Sequence, residues 1–371
     1  MRVDTYRWTE AGGWDKGISQ APRADLVIEY SDSLFFKSAD CYDDLRRFFP
    51  SAQIVGCSSA GNILNATVTD GDIVVAAIQF DATHVVIRSK VLEKQEDAGE
   101  VSKALIRELI NPELKHVFLL SDGLFISGSE LTRNLNSFSV PVTGGLAGDG
   151  DRFGESWVMA NGPARQHQLV FVGFYGKLDV SFGFSTGWKE FGPERKVTRS
   201  EKNVVYEIDY KPALDIYVSY LGELSDDLPS SGLRFPLSIK LTEQGASTVR
   251  TLLGVDWNEK SLTYAGDIPQ GSLCKLMKTD VDSLIDASAE LAGELAASTA
   301  NKSTLCLIVI CVGRRLVMAQ IAEEELDAIQ KILGQDTTIF GFYSYGEITP
   351  FESDYCSLHN QTTTLTLLSE N

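Results

Sequence analysis

Six residues toward the C-terminal end of this chain carry the most chemistry: Cys311, Arg314, Tyr343, Glu347, His359 and Asn360. Four of them surround a glycine turn. The segment Gly341-Phe342-Tyr343-Ser344-Tyr345-Gly346-Glu347-Ile348 is an apolar strand ending in glycine, and Leu358-His359-Asn360-Gln361-Thr362 follows it. A strand that stops at glycine and presents polar side chains on both sides of a turn places ligand-binding groups at a sheet edge. Glu347 and His359 flank that turn and could converge on one ligand amine or carboxylate. Arg314, at the end of the apolar run Leu305 to Val312, offers a planar fork for a carboxylate. Both signs together suit a zwitterion such as an amino acid. Cys311 lies close to that guanidinium, and a partly exposed edge would make its thiol nucleophilic or oxidisable. The plainer roles are turn hydrogen bonds for Glu347 and His359, and a small core hydrophobe for Cys311.

Other chemistries find less support. Gly56-Cys57-Ser58-Ser59-Ala60 falls one residue short of a nucleophile elbow, because alanine stands where the last glycine belongs. The histidines at 84, 116, 167 and 359 give no distinctive spacing. The glycine segments contain no Gly-x-Gly-x-x-Gly before a helix and no Gly-Lys-Ser/Thr, so a phosphate would lack its helix N-terminus. No ligand pair has zinc spacing. Haem would need an axial His, Cys or Tyr, yet His84, His116 and His167 each border an apolar strand and none stands out. No cofactor is expected, with haem the one alternative.

The elements that position these residues recur. Leu26 to Tyr30 leads through a helix at Ala39 to Phe49 into Ile54-Val55-Gly56-Cys57-Ser58-Ser59-Ala60-Gly61, then the strand Asp72 to Phe80. Val117 to Leu120 leads through a helix at Ser129 to Phe138 into Val142-Thr143-Gly144-Gly145-Leu146-Ala147-Gly148-Asp149, then Ser156 to Ala160. Leu305 to Cys311 leads through Glu323 to Leu333 into the glycine segment of the opening, then Thr362 to Leu368. Such self-similarity defines the fold: α/β with mixed sheets, built from a repeated strand-helix-strand-strand unit. Two copies fall in an N-terminal domain, residues 25–221, and one in a C-terminal domain, residues 222–371. The polar stretch Gly222 to Gly232 marks the boundary, and only the third copy is furnished with charged and aromatic groups.

At 371 residues and 43% hydrophobic content there is material for a sizeable core, and two domains are the default. The net charge of −18, with no basic block, argues against nucleic acid. Met1 to Trp14 lacks an apolar signal region, and no run approaches the roughly 18 residues of a membrane helix. Six cysteines without Cys-x-x-Cys suit reduced thiols. A cytoplasmic location follows.

These residues resemble a known family, the bacterial sensory proteins with FIST N and FIST C domains. The matching stretches are Gly56 to Gly61, Gly144 to Asp149, Val204 to Asp209 with Pro212-Ala213-Leu214, Cys311-Val312-Gly313-Arg314, Gly341 to Ile348 and His359 to Thr362. The resemblance implies a protein that binds a small ligand, amino acids being suggested, and signals through a separate partner. Some members resemble haem-containing nitric oxide sensors that regulate histidine kinases. An F-box, carried by eukaryotic relatives, finds no room in the roughly 24 residues before the match. A Cys-dependent enzyme is the remaining alternative.

Overall fold

The computed structural model of the chain describes residues 1–15, 17–18, 22–37, 40–241, 243, 245–298, 305–351 and 354–370. The first copy of the repeat comprises β1 (Arg2–Thr9), β2 (Leu26–Ser31), α1 (Asp40–Phe48), β3 (Gln53–Ser58), the hairpin β4 (Asn62–Leu64) and β5 (Thr67–Thr69), and β6 (Asp72–Gln79). The expected start of α1 at Ala39 lies outside the described residues. In the second are β7 (Thr83–Val91), α2 (Ala98–Leu109), β8 (Leu114–Ser121), α3 (Gly128–Arg133), β9 (Val142–Leu146), β10 (Val158–Ala160) and β11 (Gln168–Gly176). The third contains β12 (Leu178–Ser185), α4 (Val281–Ser298), β13 (Leu305–Cys311), α5 (Val312–Met318), α6 (Ala322–Leu333), β14 (Thr338–Ser344), the pair β15 (Gly346–Phe351) and β16 (Asp354–His359), and β17 (Thr363–Glu370).

Each copy builds the same four-stranded centre: β3-β2-β6-β1, β9-β8-β11-β7 and β14-β13-β17-β12. In each, the first two strands run parallel and the rest antiparallel. The segment that follows each glycine strand leaves its own sheet and extends another. The β4–β5 hairpin pairs with β14, β15–β16 pairs with β9, and β10 pairs with β3, which closes a cycle. Three backbone hydrogen bonds at matching positions complete it: Ala60 N to Tyr343 O at 2.8 Å, Gly148 N to Ser58 O and Tyr345 N to Leu146 O at 3.0 Å. The three copies therefore surround one pseudo-threefold axis.

Two expectations are corrected here. The fourth strand of the second copy is Gln168–Gly176; the segment at 158–160 is instead the crossing strand of the cycle. The helix expected over Ser129 to Phe138 is one short turn of α-helix, Gly128–Arg133, followed by a 3-10 turn, Leu135–Ser137.

The glycines hold the parallel strands together. Gly56, Gly144 and Gly341 face Glu29, Leu119 and Ile308 in register. A Cβ at Gly144 would stand 1.9 Å from the Leu119 carbonyl oxygen, and at Gly341 1.8 Å from that of Ile308. Only glycine permits that approach. The central strands read as continuous apolar runs because both faces are covered. Leu26, Ile28 and Tyr30 of β2, Phe118 and Leu120 of β8, and Leu307 and Val309 of β13 meet in one core enclosed by all three sheets. There the Tyr30 ring packs on Phe340 and Phe342, centroids 5.0 and 4.6 Å apart. The alternate residues turn outward to the helices, Val27 toward the layer of α1 and Ile308 and Ile310 toward α4 and α6.

A smaller lobe is inserted between β12 and α4. Its sheet contains the strands Lys189–Glu201, Val204–Ile208, Leu237–Lys240 and Leu273–Lys278, so both sides of residue 221 contribute to it. The helix Ala213–Leu221, opened by Pro212, covers its core. The lobe touches the repeats through Asp267 N to Ser129 Oγ, 3.0 Å, and Arg250 Nη1 to Leu358 O, 3.3 Å.

Candidate functional site

The C-terminal ends of β2, β8 and β13 occupy equivalent positions, and the residues that stand there are Asp32, Asp122 and Cys311. Asp32 Oδ1 accepts from Leu34 N at 2.9 Å, and Asp122 Oδ1 from Leu124 N and Phe125 N at 2.9 and 2.8 Å. Each carboxylate caps the turn behind its strand. Cys311 is the N-cap residue of α5 and is buried. Burial pushes its thiol up, Glu347 adds to this, and Arg314 opposes only weakly. The partly exposed, activated thiol expected at this position is a sealed one.

The fork expected of Arg314 points inward. The chain does not end its strand in a turn at Gly313; it enters α5 at Val312, and Arg314 falls on the buried face with no exposed surface. Its Nη2 donates to Glu325 Oε1 at 2.6 Å, to Leu284 O at 3.1 Å and to Ser288 Oγ at 3.2 Å; Nη1 donates to Thr186 O at 2.5 Å. Ser288 and Thr363 hydroxyls also donate to Glu325 Oε1, each at 2.6 Å. Both Nη atoms of that guanidinium are spent on the fold, and its buried Nε finds no partner among the described residues.

Glu347 and His359 stand directly opposite in the β15–β16 register. Glu347 is fully buried and accepts from Ser344 Oγ at 2.5 Å and from Thr362 Oγ1 at 2.9 Å. Burial outweighs those hydrogen bonds and pushes its carboxyl up to about 8. Burial pulls His359 down to about 3, so its ring is neutral, packed on Phe184 at 4.1 Å, with Nε2 3.2 Å from Thr349 O. Asn360 is 1% exposed, and neither of its amide atoms finds a partner among the described residues. Tyr343 is buried beneath Arg315, whose guanidinium carbon lies 5.3 Å from the ring centroid. None of the six expected residues lines either of the two large cavities; all six are buried, and Tyr343 lies beneath the lining residue Arg315.

That cavity, about 430 Å³, opens where the loops after β2, β3, β9 and β13 meet at the axis. Its charged groups come from all three copies: Asp32 and Asp70, then Asp151 and Arg152, then Arg315. Arg315 is the next residue after Arg314, and one step along α5 turns it by about 100°, out of the interior and toward the cavity. Its Nη1 donates to Ala60 O at 2.6 Å and to Asp70 Oδ1 at 2.8 Å, and that bond to Asp70 is the main reason its pKa is raised. Arg152 Nη2 reaches Asp32 Oδ1 and Oδ2 at 3.0 and 3.1 Å and Ser33 Oγ at 3.1 Å. Gly61 makes room: at φ +131°, a Cβ there would lie 2.3 Å from Arg315 Nη1. The expectation that only the third copy is furnished is therefore corrected. The missed residues had a signal in the run Asp149-Gly150-Asp151-Arg152, whose charges follow a glycine strand as Glu347 does.

The chain matches the FIST N domain over residues 25–211 and the FIST C domain over 213–350. It is 24% identical over 375 residues to an uncharacterized protein of Methanocaldococcus jannaschii, covering 91% of this chain and 72% of that one. Two solved structures align along nearly the whole chain at 9% identity. They are a chorismatase (TM-score 0.32; 99% of this chain, 98% of that one) and a cyanuric acid hydrolase (TM-score 0.33; 100% and 99%). Among the described residues no helix is long and apolar enough to cross a membrane. With both domain matches in sequence along most of its length, the chain belongs to the FIST family, whose domains are sensory modules for small ligands in signal transduction.

Proposed function

We propose that this protein senses a small zwitterionic metabolite, an amino acid being the simplest, in the axial cavity. The observation that carries this is the meeting of two guanidinium groups and three carboxylates from three separate copies in about 430 Å³. That volume suits a small ligand. Arg315 and Arg152 take the ligand carboxylate, and Asp70 and Asp151 its ammonium. Each arginine already holds an aspartate, so the ligand exchanges one ion pair for another. Such an exchange is a route by which binding favours one arrangement of the three loops over another. The output passes to a separate signalling protein, for which a histidine kinase is one fit, and the free cysteines suit a cytoplasmic location.

Of the six residues first expected, Tyr343 supports this site from beneath Arg315, Cys311 precedes the lining residue Val312, and Arg314 ties α5 to α4 and α6. A Cys-dependent enzyme is disfavoured by the sealed thiol of Cys311, and Ser59 donates its hydroxyl hydrogen bond to Asn62 Oδ1, which is no base. Haem gains no support from the residues present: no histidine or cysteine among the described residues lines either large cavity, and of the tyrosines in the second, Tyr345 gives its hydroxyl to the Asp149 carboxylate and Tyr264 is fully buried. His116 and His359 are buried and neutral, while His84 and His167 stack on Tyr175 and Phe125.

Calorimetric titration with each proteinogenic amino acid, on native protein and on Arg315→Ala and Arg152→Ala, tests the reading. Saturable binding that both variants weaken by tenfold or more is the expected result. Absence of binding, or binding that both variants leave intact, overturns it.

A further inference from the structure

A second cavity, about 460 Å³, lies on the other side of the loop Asp149–Phe153, between the second copy and the inserted lobe. One of its walls is the segment after β8 and another comes from the lobe. Three large apolar side chains border it while staying well exposed: Leu124 at 39%, Phe153 at 44% and Leu253 at 46%. Phe153 is held there against its backbone preference, with φ at +49°, a region that bulky residues rarely enter. Strain kept in order to display an aromatic ring at the rim of a cavity is the signature of a functional position. The ring stacks on Tyr345, centroids 4.6 Å apart and planes within 18°, so Tyr345 backs one face of Phe153 and the other face is left for a ligand ring.

The polar groups around this cavity are largely spent on the protein itself. Ser127 Oγ accepts from Glu130 N, Ser129 Oγ accepts from Asp267 N, and Asn203 Nδ2 donates to Tyr264 O. Glu130 and Asp267 both bind Arg133, and Glu96 faces the same space with Lys202 as the only basic side chain of the lining among the described residues. What is left for a ligand is an aromatic surface with an acidic rim, which selects against anions.

We infer that this cavity is a second ligand site, for a planar aromatic ring without an acid group, and that the loop Asp149–Phe153 reports its occupation to the axial cavity. The loop has one end in each: Gly150, Asp151 and Arg152 line the first cavity, and Phe153 lines the second. Tyr345 fastens the junction. Its hydroxyl donates to the Asp149 carboxylate and accepts from Asp149 N at 3.1 Å, so a ligand that moves the Phe153–Tyr345 pair moves the residues carrying Arg152. Coupling of this kind acts equally in both directions.

Indole, which carries neither a carboxylate nor an ammonium, is the probe, so a null result in the amino-acid titrations leaves this test standing. By saturation-transfer NMR and calorimetry, indole binds the native protein saturably, and Phe153→Ala and Leu253→Ala each weaken it by about tenfold. Both residues are exposed, so neither change is expected to unfold the chain. In parallel, indole alters amide hydrogen exchange at Gly150 to Arg152. Failure of indole to bind saturably, or binding that either variant leaves intact, overturns the site. Bound indole with exchange at 150–152 unchanged overturns the coupling.

Discussion

Arg314 and Arg315 are adjacent in sequence and opposite in role. The first is enclosed with Glu325 among α4, α6 and β17; the second faces the axial cavity and holds Asp70 from the first copy. The difference comes from one structural fact, that a helix starts at Val312, so consecutive side chains diverge by about 100°. It teaches that charge near a site says little until the element carrying it is known. The largest expected effect breaks the interior pair. Arg314→Ala leaves Glu325 buried without its partner and costs about 3–5 kcal/mol of stability, read by urea denaturation. Arg314→Met with Glu325→Leu recovers most of it, because the desolvation penalty disappears with both charges. Were Arg314→Ala to cost under about 1 kcal/mol, as an exposed pair does, the contrast between the two arginines would collapse.

Buried carboxyls sharpen the same contrast through pH. Burial raises Glu347 to about 8 and Glu29 to about 7, both from an unfolded value of 4.5. Glu29 sits in β2 with Cys41 Sγ donating to it at 2.7 Å. For a carboxyl whose folded pKa is raised, the folded state holds its proton longer than the unfolded state. Stability is then fully present below pH 4.5 and declines as pH rises through 7 and 8. A tenfold difference in proton affinity between the folded and unfolded states corresponds to about 1.4 kcal/mol, so the decline amounts to a few kcal/mol for each of the two groups. Glu347→Gln flattens the upper part of the curve and Glu29→Gln the lower. A stability profile level from pH 5 to 9 in the native chain would show that both groups ionise freely.

Much of the fold is legible in the sequence because its repeat is written in local signals. Gly56, Gly144 and Gly341 mark the same close approach, and the strands covered on both faces read as unbroken apolar runs. The exchange of hairpins is not legible. Val158–Ala160 looks like the strand that should follow Gly144 in its own sheet, and nothing local says that it pairs with Gly56 instead. That exchange brings Asp70, Arg152 and Arg315 together from positions far apart in the chain, so the axial cavity was beyond reach of spacing arguments. The six residues expected at the site do stand around the end of a sheet, but all six are buried and none lines the cavity, because spacing does not report burial.

Gly61 tests the cavity from its floor. Gly61→Ala forces a side chain into a left-handed backbone position and against the Arg315 guanidinium. The backbone strain costs about 1–3 kcal/mol. Arg315 is displaced from Ala60 O and Asp70, so amino-acid binding falls together with stability. Alanine at Gly271, also at positive φ but with open space around its Cβ and outside the cavity lining, carries backbone strain without the displacement. The pair separates the two: loss of binding in Gly61→Ala alone ties the ligand to Arg315, and equal losses in both variants would trace the effect to strain.

Arg315→Lys is the mildest change and the most discriminating. Lysine keeps the positive charge and one bond toward Asp70, but a point charge cannot hold Ala60 O, Asp70 and a ligand carboxylate in one plane as the guanidinium does. The Arg315–Asp70 pair is partly exposed, at 24% and 63%, so its loss changes stability by no more than about 1 kcal/mol. Affinity for the amino acid falls nonetheless, because the planar fork contributes to the bound state more than charge alone. Thermal denaturation and calorimetry on the same sample read both quantities. Full retention of affinity in Arg315→Lys would mean that the cavity supplies a field rather than a fork, and would move carboxylate recognition to Arg152.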